Sequence, residues 1–154
     1  MENKRVLEVK DLNISFDTYA GEVQAVRGIS FNLNQAETIG IVGESGCGKT
    51  VSMQSIMKLI PMPPGRTKKG RILFDNKDIT GYSDKEMQSL RGSKMGMIFQ
   101  DPMTSLNPTM KIGNQITDVL KKHTKINNAN ARKKAIEMLR MVGLPNPKTR
   151  INQY

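Results

Sequence analysis

The chain has 154 residues, of which 37% are hydrophobic, and its formal net charge is +10. This length suits one ordinary domain with a sizeable core, and the chain has neither an apolar run of membrane-spanning length nor the apolar stretch of a signal peptide. The single cysteine, Cys47, excludes an internal disulfide framework, so we expect a protein of the reducing cytosol.

Two half-exposed strands are predicted at the start of the chain. Residues 6–12 and 25–33 alternate apolar and polar side chains, as strands with one solvated face do. The turn-like residues 17–22 would join them, which predicts an antiparallel pair.

A glycine-rich motif follows a short apolar run. Residues 38–42 are apolar and rich in β-branched side chains, which predicts a buried strand. Residues 43–50 then match the phosphate-binding pattern G-x-x-x-x-G-K-[ST] in full. Apolar and small side chains recur at helical spacing from Val51 to Leu59, and the proline-rich residues 61–65 would end that helix.

Strand, glycine loop and helix together predict a site for nucleotide phosphates. Glycines allow the backbone N–H groups to curl around phosphate oxygens, and the helix directs its N-terminus at the anion. Lys49 would reach the β- and γ-phosphates, and Thr50 would place its hydroxyl on Mg²⁺. We therefore predict that this loop binds a nucleotide together with Mg²⁺. The predicted contacts in this segment are Gly43, Glu44, Ser45, Gly46, Cys47, Gly48, Lys49, Thr50 and Val51.

The middle of the chain predicts two more strands and a short helix. Residues 71–75 read as a strand with a tight turn at residues 76–77. Ser83 and Glu86 have the spacing of a capping box, which predicts a helix to Arg91. The apolar residues 95–100 predict another short strand.

Two helices are predicted in the last third. Apolar residues at 112, 116, 119 and 120 give one amphipathic helix. Asn128 or Asn130 could cap a second, over residues 131–142, which Gly143 and Pro145 would close. We thus expect a β-rich and α/β domain over residues 1–105 and a helical one over residues 106–154.

This helical part carries most of the net positive charge. Residues 106–154 contain 10 basic and two acidic side chains, whereas residues 1–105 contain 14 and 12. We favour a solvated helical face that meets acidic protein over nucleic acid or an anionic membrane surface. Aromatic residues are few and no nucleic-acid motif is present, so no nucleic-acid partner is expected.

Four segments of the chain carry a family resemblance. Residues 9–12, 25–33 and 41–50 resemble the ATP-binding subunits of ABC transporters. Residues 97–108, MIFQDPMTSLNP, are similar to the Q-loop segment of the oligopeptide/dipeptide/nickel importer group. The resemblance implies an α/β fold: a P-loop NTPase core with an antiparallel β subdomain and the start of a helical subdomain.

The resemblance also implies roles for single residues. Gln100 would be the Q-loop glutamine, which reaches Mg²⁺ and the attacking water and senses the permease. Lys49 and Gln100 are thus the catalytic candidates, and Thr50 and Gln100 the metal-binding ones. Phe16 would stack on adenine, with Tyr19 as its rival, although an ordinary strand residue is an equal interpretation of Phe16.

Parts of the family pattern are absent from these 154 residues. No L-S-G-G-Q signature motif, no acidic strand ending in Asp-Glu and no switch histidine follow Gln100. His123 lies in a basic helical segment, where a solvent-facing residue is expected. We therefore expect the N-terminal portion of an ABC ATPase, which binds ATP–Mg²⁺ but is catalytically inactive alone.

The predicted function is that of an ATP-binding subunit of a peptide-type ABC importer. Its partners would be membrane permease subunits and a second ATP-binding subunit, and it would be cytoplasmic and peripheral on the inner face of the cell membrane. One alternative is a cytosolic ABC-type ATPase that acts on nucleic acid or ribosomes. Another is a small-molecule kinase with a phosphate loop.

Overall fold

The computed structural model of the chain describes residues 4–101 and 105–154. The chain divides into two compact units, Met1–Gln88 and Ser89–Tyr154. The domains expected from the sequence, 1–105 and 106–154, stay a prediction.

A four-stranded antiparallel sheet forms most of the first unit, with the strand order β2-β1-β3-β4. The strands are β1 (Arg5–Thr18), β2 (Gly21–Asn34), β3 (Gly65–Phe74) and β4 (Lys77–Asp78). β1 pairs with β2 from one end to the other, and the chain turns at residues 19–20. The predicted antiparallel pair is therefore confirmed.

β3 begins at Gly65, well before the predicted start at residue 71. Its polar first half is held by ion pairs across the sheet. Arg66 Nη2 lies 3.1 Å from Asp17 Oδ1, and Lys68 Nζ lies 2.5 Å from Glu22 Oε1. Hydrogen bonds from Lys68 and then Ser15 lower the pKa of the Glu22 carboxyl. Such cross-strand pairs stabilise a strand that apolar periodicity cannot reveal.

The core of the first unit lies between the sheet and the segment around the first helix, α1 (Lys49–Ile56). Val9, Leu12 and Ile14 of β1 are buried. Leu12 and Ile14 alternate as residues on one face of a strand do, and the register shift between Val9 and Leu12 accounts for the three-residue spacing. The other buried apolar side chains are Val26, Ile56, Met57, Ile60, Ile72, Phe74, Ile79 and Met87. The phosphate-loop segment is therefore attached to a firm support.

Two predicted strands, a buried one over residues 38–42 and a short apolar one over residues 95–100, are wrong. Neither segment is a strand; only Met95 forms an isolated bridge, with Arg91. Val42 is 95% exposed and Ile98 is 97% exposed. Apolar composition indicates burial only when neighbouring strands cover the segment, and no described residue pairs with 38–42 or 96–100.

The short helix α2 (Asp84–Leu90) has the predicted capping box. The Ser83 N–H donates to Glu86 Oε2 at 2.7 Å, and the Glu86 N–H donates to Ser83 Oγ at 3.4 Å. The helix after the phosphate loop is confirmed as well, but it ends at Ile56 rather than at the proline-rich segment.

Among its described residues, the second unit contains three helices: α3 (Ile112–His123), α4 (Asn128–Met141) and α5 (Pro147–Arg150). The two predicted helices are confirmed, and α5 was not predicted. The cap of α4 is Asn127 rather than Asn128 or Asn130, because its side-chain oxygen accepts the Asn130 N–H at 2.9 Å. Gly143, with φ of 75°, follows the end of α4 as predicted.

The end of the chain packs against the start of α3. The N–H groups of Ile112 and Gly113 donate to the carbonyls of Gln153 and Ile151, at 2.8 and 2.9 Å. Ile151 is 1% exposed. His123, at the other end of α3, is half-buried rather than solvent-facing, because it lies over Gly92.

No helix among residues 4–101 and 105–154 is long and apolar enough to cross a membrane.

Candidate functional site

The predicted phosphate loop leads directly into α1, and two of its glycines have positive φ. Gly46 has φ of 79° and Gly48 has φ of 91°, a region that other residues rarely adopt. Gly48 is also crowded, since a Cβ there would lie 2.5 Å from the carbonyl oxygen of Ala25 in β2. The loop is thus held against the sheet at its last residue.

The Lys49 side chain folds back over the loop. Its ammonium donates to the carbonyls of Gly43 and Glu44, each at 2.6 Å. Lys49 Nζ also lies 3.4 Å from Cys47 Sγ. The ammonium therefore lies against two backbone carbonyls at the start of the motif.

The N-terminus of α1 carries free hydrogen-bonding capacity. No side chain caps it, and no acidic residue occupies its first turn. The first N–H groups of a helix have no intrahelical acceptor and favour an anion. Gly43 to Cys47 and Thr50 are exposed, so these donors are accessible from solvent. The glycine loop, the Lys49 ammonium and the uncapped N-terminus of α1 together fit a phosphate group.

A cleft of about 710 Å³ adjoins the loop. One wall is the apolar face of β2, another is the extended segment that precedes the loop, and the floor reaches α1. Its lining consists of Val23, Gln24, Ala25, Val26, Arg27, Ile29, Phe31, Ile39, Ile41, Val42, Gly46, Cys47, Gly48, Lys49, Ser52 and Met53. The cleft could therefore receive the apolar part of a ligand whose phosphates lie on the loop.

Phe16 and Tyr19, the two candidates for adenine stacking, lie on the β1–β2 hairpin. Phe16 is half-buried in β1, opposite Val23 on one side and Gly65 on the other. Tyr19 stands in the turn and is fully exposed. Neither lines the cleft, so the stacking role of Phe16 stays a prediction.

Gln100 belongs to the second unit, in a bend after the exposed segment 96–99. Lys49 belongs to the first unit, so the two catalytic candidates lie in different units. Residues 102–104 of the predicted Q-loop segment lie outside the described residues. Among the described residues, no group of three or more His, Cys, Asp or Glu side chains could hold a metal ion.

The contact of Gly48 with Ala25 and the apolar walls of the cleft were not anticipated from the sequence. The two residues of that contact are 23 positions apart, and no local pattern links them. The sequence of β2 shows alternating apolar and polar side chains, but this pattern does not indicate which face of the strand lies against the phosphate loop.

Residues 26–154 match the family model described as ABC transporter. The chain belongs to the ABC transporter family. Its fold is accordingly that of a P-loop NTPase, as the sequence predicted.

Curated members of the ABC transporter family extend the match to nearly the whole chain. The oligopeptide transport ATP-binding protein OppD of Bacillus subtilis is 63% identical over 150 residues, which are 97% of this chain and 42% of that protein. The dipeptide transport ATP-binding protein DppD of the same organism is 53% identical, over 98% of this chain and 45% of that protein. The chain thus spans less than half the length of these relatives.

Solved ABC structures show the same fold. The dimeric ATP-binding cassette MJ0796, in a post-hydrolysis state bound to ADP and Pi, superposes with a TM-score of 0.80 at 22% identity, over 96% of this chain and 60% of that one. The structure of cbiO1 from Clostridium perfringens, part of the transporter complex cbiONQ, gives 0.66 at 28% identity, over 94% and 53%. The family match and the peptide-transport relatives do not favour the kinase or the nucleic-acid alternative.

Proposed function

We propose that this chain is the nucleotide-binding part of an ATP-binding subunit that powers a peptide-type ABC importer. The observation that carries the proposal is the Lys49 ammonium, which two carbonyls hold at 2.6 Å over a glycine loop. An ammonium group in this position, beside the uncapped N-terminus of α1, can form charge-assisted hydrogen bonds to the phosphates of a nucleotide. The transport roles in the names of the relatives support peptides as the cargo.

In this proposal ATP binds through its phosphates to residues 43–51. Lys49 leaves the carbonyls of Gly43 and Glu44 and donates instead to the β- and γ-phosphates. The backbone N–H groups from Gly46 to Val51 donate to the remaining phosphate oxygens. Glycine at 46 and 48 lets the backbone approach the anion without side-chain obstruction.

The Thr50 hydroxyl, exposed at the start of α1, would hold Mg²⁺ together with phosphate oxygens. Magnesium usually keeps waters and takes few protein ligands, so one hydroxyl and the Gln100 amide oxygen suffice as protein contacts. Phe16 would stack on the adenine base, as the family resemblance implies.

Hydrolysis would depend on positioning and charge stabilisation around the γ-phosphate. Lys49 would stabilise the developing charge, and Gln100 would orient the attacking water. The 154 residues contain no acidic strand and no signature motif after Gln100. We therefore propose that the chain alone binds ATP–Mg²⁺ without turning it over, and that the complete protein is an ATPase.

The complete protein would work with two kinds of partner. Membrane permease subunits would receive the signal of nucleotide binding near Gln100, and a second ATP-binding subunit would complete the nucleotide site. With these partners the protein would lie in the cytoplasm, peripheral on the inner face of the cell membrane.

A nucleotide titration of the chain tests the proposal. Lys49→Ala should weaken ATP–Mg²⁺ binding by about 10- to 100-fold, because charge-assisted hydrogen bonds are worth about 1.5–3 kcal/mol. Lys85→Ala is the matched control, since Lys85 is an exposed lysine of α2, and it should bind as the unaltered chain does. Equal affinity of the Lys49 variant and the control would reject the phosphate site.

Peptide uptake tests the transport role in the full-length protein. Cells whose only copy carries Lys49→Ala should lose growth on peptides that require the importer. Normal growth of such cells would reject the role in peptide import, while leaving nucleotide binding by the chain to be judged by titration.

A further inference from the structure

The cationic side chains of the second unit are largely without partners. Residues 105–154 hold 10 basic and two acidic side chains. Arg132 and Arg150 donate to the neutral amides of Asn152 and Gln153. Seven others make no side-chain hydrogen bond or ion pair within the described part of the chain: Lys111, Lys121, Lys125, Lys133, Lys134, Arg140 and Lys148. In the first unit, by contrast, Lys4, Arg5, Lys10, Arg66, Lys68 and Lys69 all pair with carboxylates.

Two of these lysines converge where α3 gives way to α4. Lys125 and Lys134 line one cleft of about 430 Å³, with Leu120, Thr124, Ile126, Asn127 and Asn130 as its other walls. Both lysines are exposed, so their ammonium groups remain in water. The fold thus brings two cations from different segments to one place.

Exposed methionines continue the same side of α4. Met138 and Met141 follow Lys134 at i+4 and i+7, which places the three on one helix face. Met138 is 38% exposed and Met141 is 77% exposed, whereas Ala131 and Ala135, on the adjoining face of the helix, are buried. Lys125, Lys134, Met138 and Met141 are called the α4 strip below.

We propose that the α4 strip binds the surface of an anionic membrane. Flexible lysine side chains reach lipid phosphates, while unbranched methionine side chains enter the boundary between headgroups and acyl chains. Each lysine near such a surface is worth about 1 kcal/mol. The inference shares with the proposed function only its place at a membrane, and it does not depend on nucleotide binding.

The composition of the strip favours lipid over nucleic acid. Single-stranded nucleic acid stacks its bases on aromatic side chains, and α3 and α4 contain no Phe, Tyr or Trp. Recognition of bases and phosphates by paired hydrogen bonds relies on arginine, and the α4 strip contains no arginine. Lysines beside exposed methionines suit a fluid surface that offers both charge and hydrocarbon.

Vesicle co-sedimentation tests the proposal on the chain itself. Vesicles of phosphatidylcholine, with or without phosphatidylglycerol, are compared for the unaltered chain and for Lys125→Gln/Lys134→Gln. This pair should bind anionic vesicles about 30-fold more weakly at low salt, since it removes two lysine contacts of about 1 kcal/mol each. Binding of the unaltered chain should fall as salt rises.

Lys77→Gln/Lys85→Gln is the matched control. Both lysines are exposed in the first unit, and neither forms an ion pair among the described residues, so the double variant loses the same net charge. It should lose no more than a few-fold in vesicle binding. If the two double variants lose binding equally, the attraction belongs to net charge alone and the α4 strip is rejected.

Met138→Gln/Met141→Gln tests the apolar half of the strip. It leaves every charge in place and should still weaken vesicle binding by about tenfold, because partial burial of two methionines is lost. Unchanged vesicle binding by this variant would reject insertion of the methionines.

Two other results would also overturn the proposal. One is equal binding to vesicles with and without phosphatidylglycerol. The other is tighter binding of an RNA oligonucleotide than of anionic vesicles, with the same loss in the Lys125/Lys134 variant. ATP titration and circular dichroism of every variant show whether the chain is folded, so a failure here is separable from a failure of the phosphate loop.

Discussion

Gly48 is restricted to glycine by two independent contacts with the rest of the first unit. Its φ of 91° strains any side chain, and a Cβ would meet the Ala25 carbonyl oxygen at 2.5 Å. Because that oxygen belongs to the backbone of β2, it cannot move aside as the end of a flexible side chain could. The residue therefore sets the distance between the sheet and the start of α1.

Gly48→Ala should consequently lose both stability and ligand binding. We expect a decrease of about 1–3 kcal/mol in the free energy of unfolding, from backbone strain and overpacking. Denaturant unfolding and ATP titration measure the two effects. Gly40→Ala is the control, because its φ is not positive and no atom lies within 4 Å of the added Cβ. Equal stability of the two variants would contradict the crowding.

Cys47 gives a second prediction at the same scale. Its thiol is exposed, and its Sγ lies 3.4 Å from Lys49 Nζ. An alkyl group on Cys47 would crowd the phosphate position, so maleimide treatment should abolish nucleotide binding. Saturating ATP–Mg²⁺ should slow alkylation, and Cys47→Ser should bind normally while resisting the reagent. Alkylation at the same rate with and without nucleotide would place Cys47 away from the phosphates.

The residues of the phosphate loop could be predicted from the sequence, but the contact that supports the loop against the sheet could not. The pattern of glycines followed by Lys49 and Thr50 lies within eight consecutive residues. It predicts a phosphate loop because few other structures require glycine, lysine and threonine at this spacing. The contact between Gly48 and Ala25 joins distant parts of the chain and has no local signal. The same holds for Lys125 and Lys134, which only the α3–α4 turn brings together.

At the scale of elements, α3 depends on residues at the end of the chain. The first N–H groups of α3 bond to the carbonyls of Ile151 and Gln153. A Cβ on Gly113 would lie 2.5 Å from Ile151 Cγ1 and 2.7 Å from the Ile151 carbonyl oxygen. The absence of a side chain at Gly113 is thus what lets the two segments approach.

Gly113→Ala should therefore destabilise the second unit, although alanine is the better helix former by about 1 kcal/mol. Overpacking of about 1–3 kcal/mol outweighs that preference. Asn114→Ala, at the next and exposed position of α3, should be neutral or stabilising. Thermal unfolding followed by circular dichroism compares the two. A thermal midpoint for Gly113→Ala at or above that of the unaltered chain would show that Ile151 moves aside without a loss of stability.

The capping box of α2 gives a prediction for pH. Hydrogen bonds from the Ser83 side chain and backbone lower the pKa of the Glu86 carboxyl. Since the pKa is lower in the folded state, this stabilisation is present above the unfolded value of about 4.3 and is lost as pH falls through the folded value. Glu86→Gln should flatten the acid side of the thermal-midpoint profile. An identical profile for the variant would show that Glu86 does not contribute to the loss of stability at low pH.

The elements differ in how far local sequence determines them. Ser83 and Glu86 predicted a helix start correctly, because both partners of the cap lie within one turn. Asn127, Asn128 and Asn130 are chemically alike, so only backbone geometry selects Asn127. The runs at 38–42 and 95–100 were misassigned because strand formation depends on partners outside the run.

At the scale of the molecule, each unit exposes an apolar segment that no described strand covers. Ile39, Ile41 and Val42 are 38, 43 and 95% exposed in the first unit, and Ile98 and Phe99 are 97 and 47% exposed in the second. Unpaired extended backbone with apolar side chains is a template for association with another chain.

We therefore expect the chain to self-associate as its concentration rises. Val42→Lys should reduce the association, because a charge on an unpaired edge opposes strand pairing. Val119→Lys, half-exposed on α3, is the control and should change it little. Sedimentation velocity over a concentration series measures both. A monodisperse monomer at every concentration would contradict the expectation.

The position of Lys49 also affects how any measured affinity should be understood. Its ammonium already has two good oxygen acceptors within the loop. Binding of a nucleotide is then an exchange of one set of acceptors for another, and the observed free energy contains only the difference between them. Truncating Lys49 would underestimate the strength of its bonds to phosphate. Backbone geometry at Gly43 and Glu44 can thus tune nucleotide affinity by making the competing bonds better or worse.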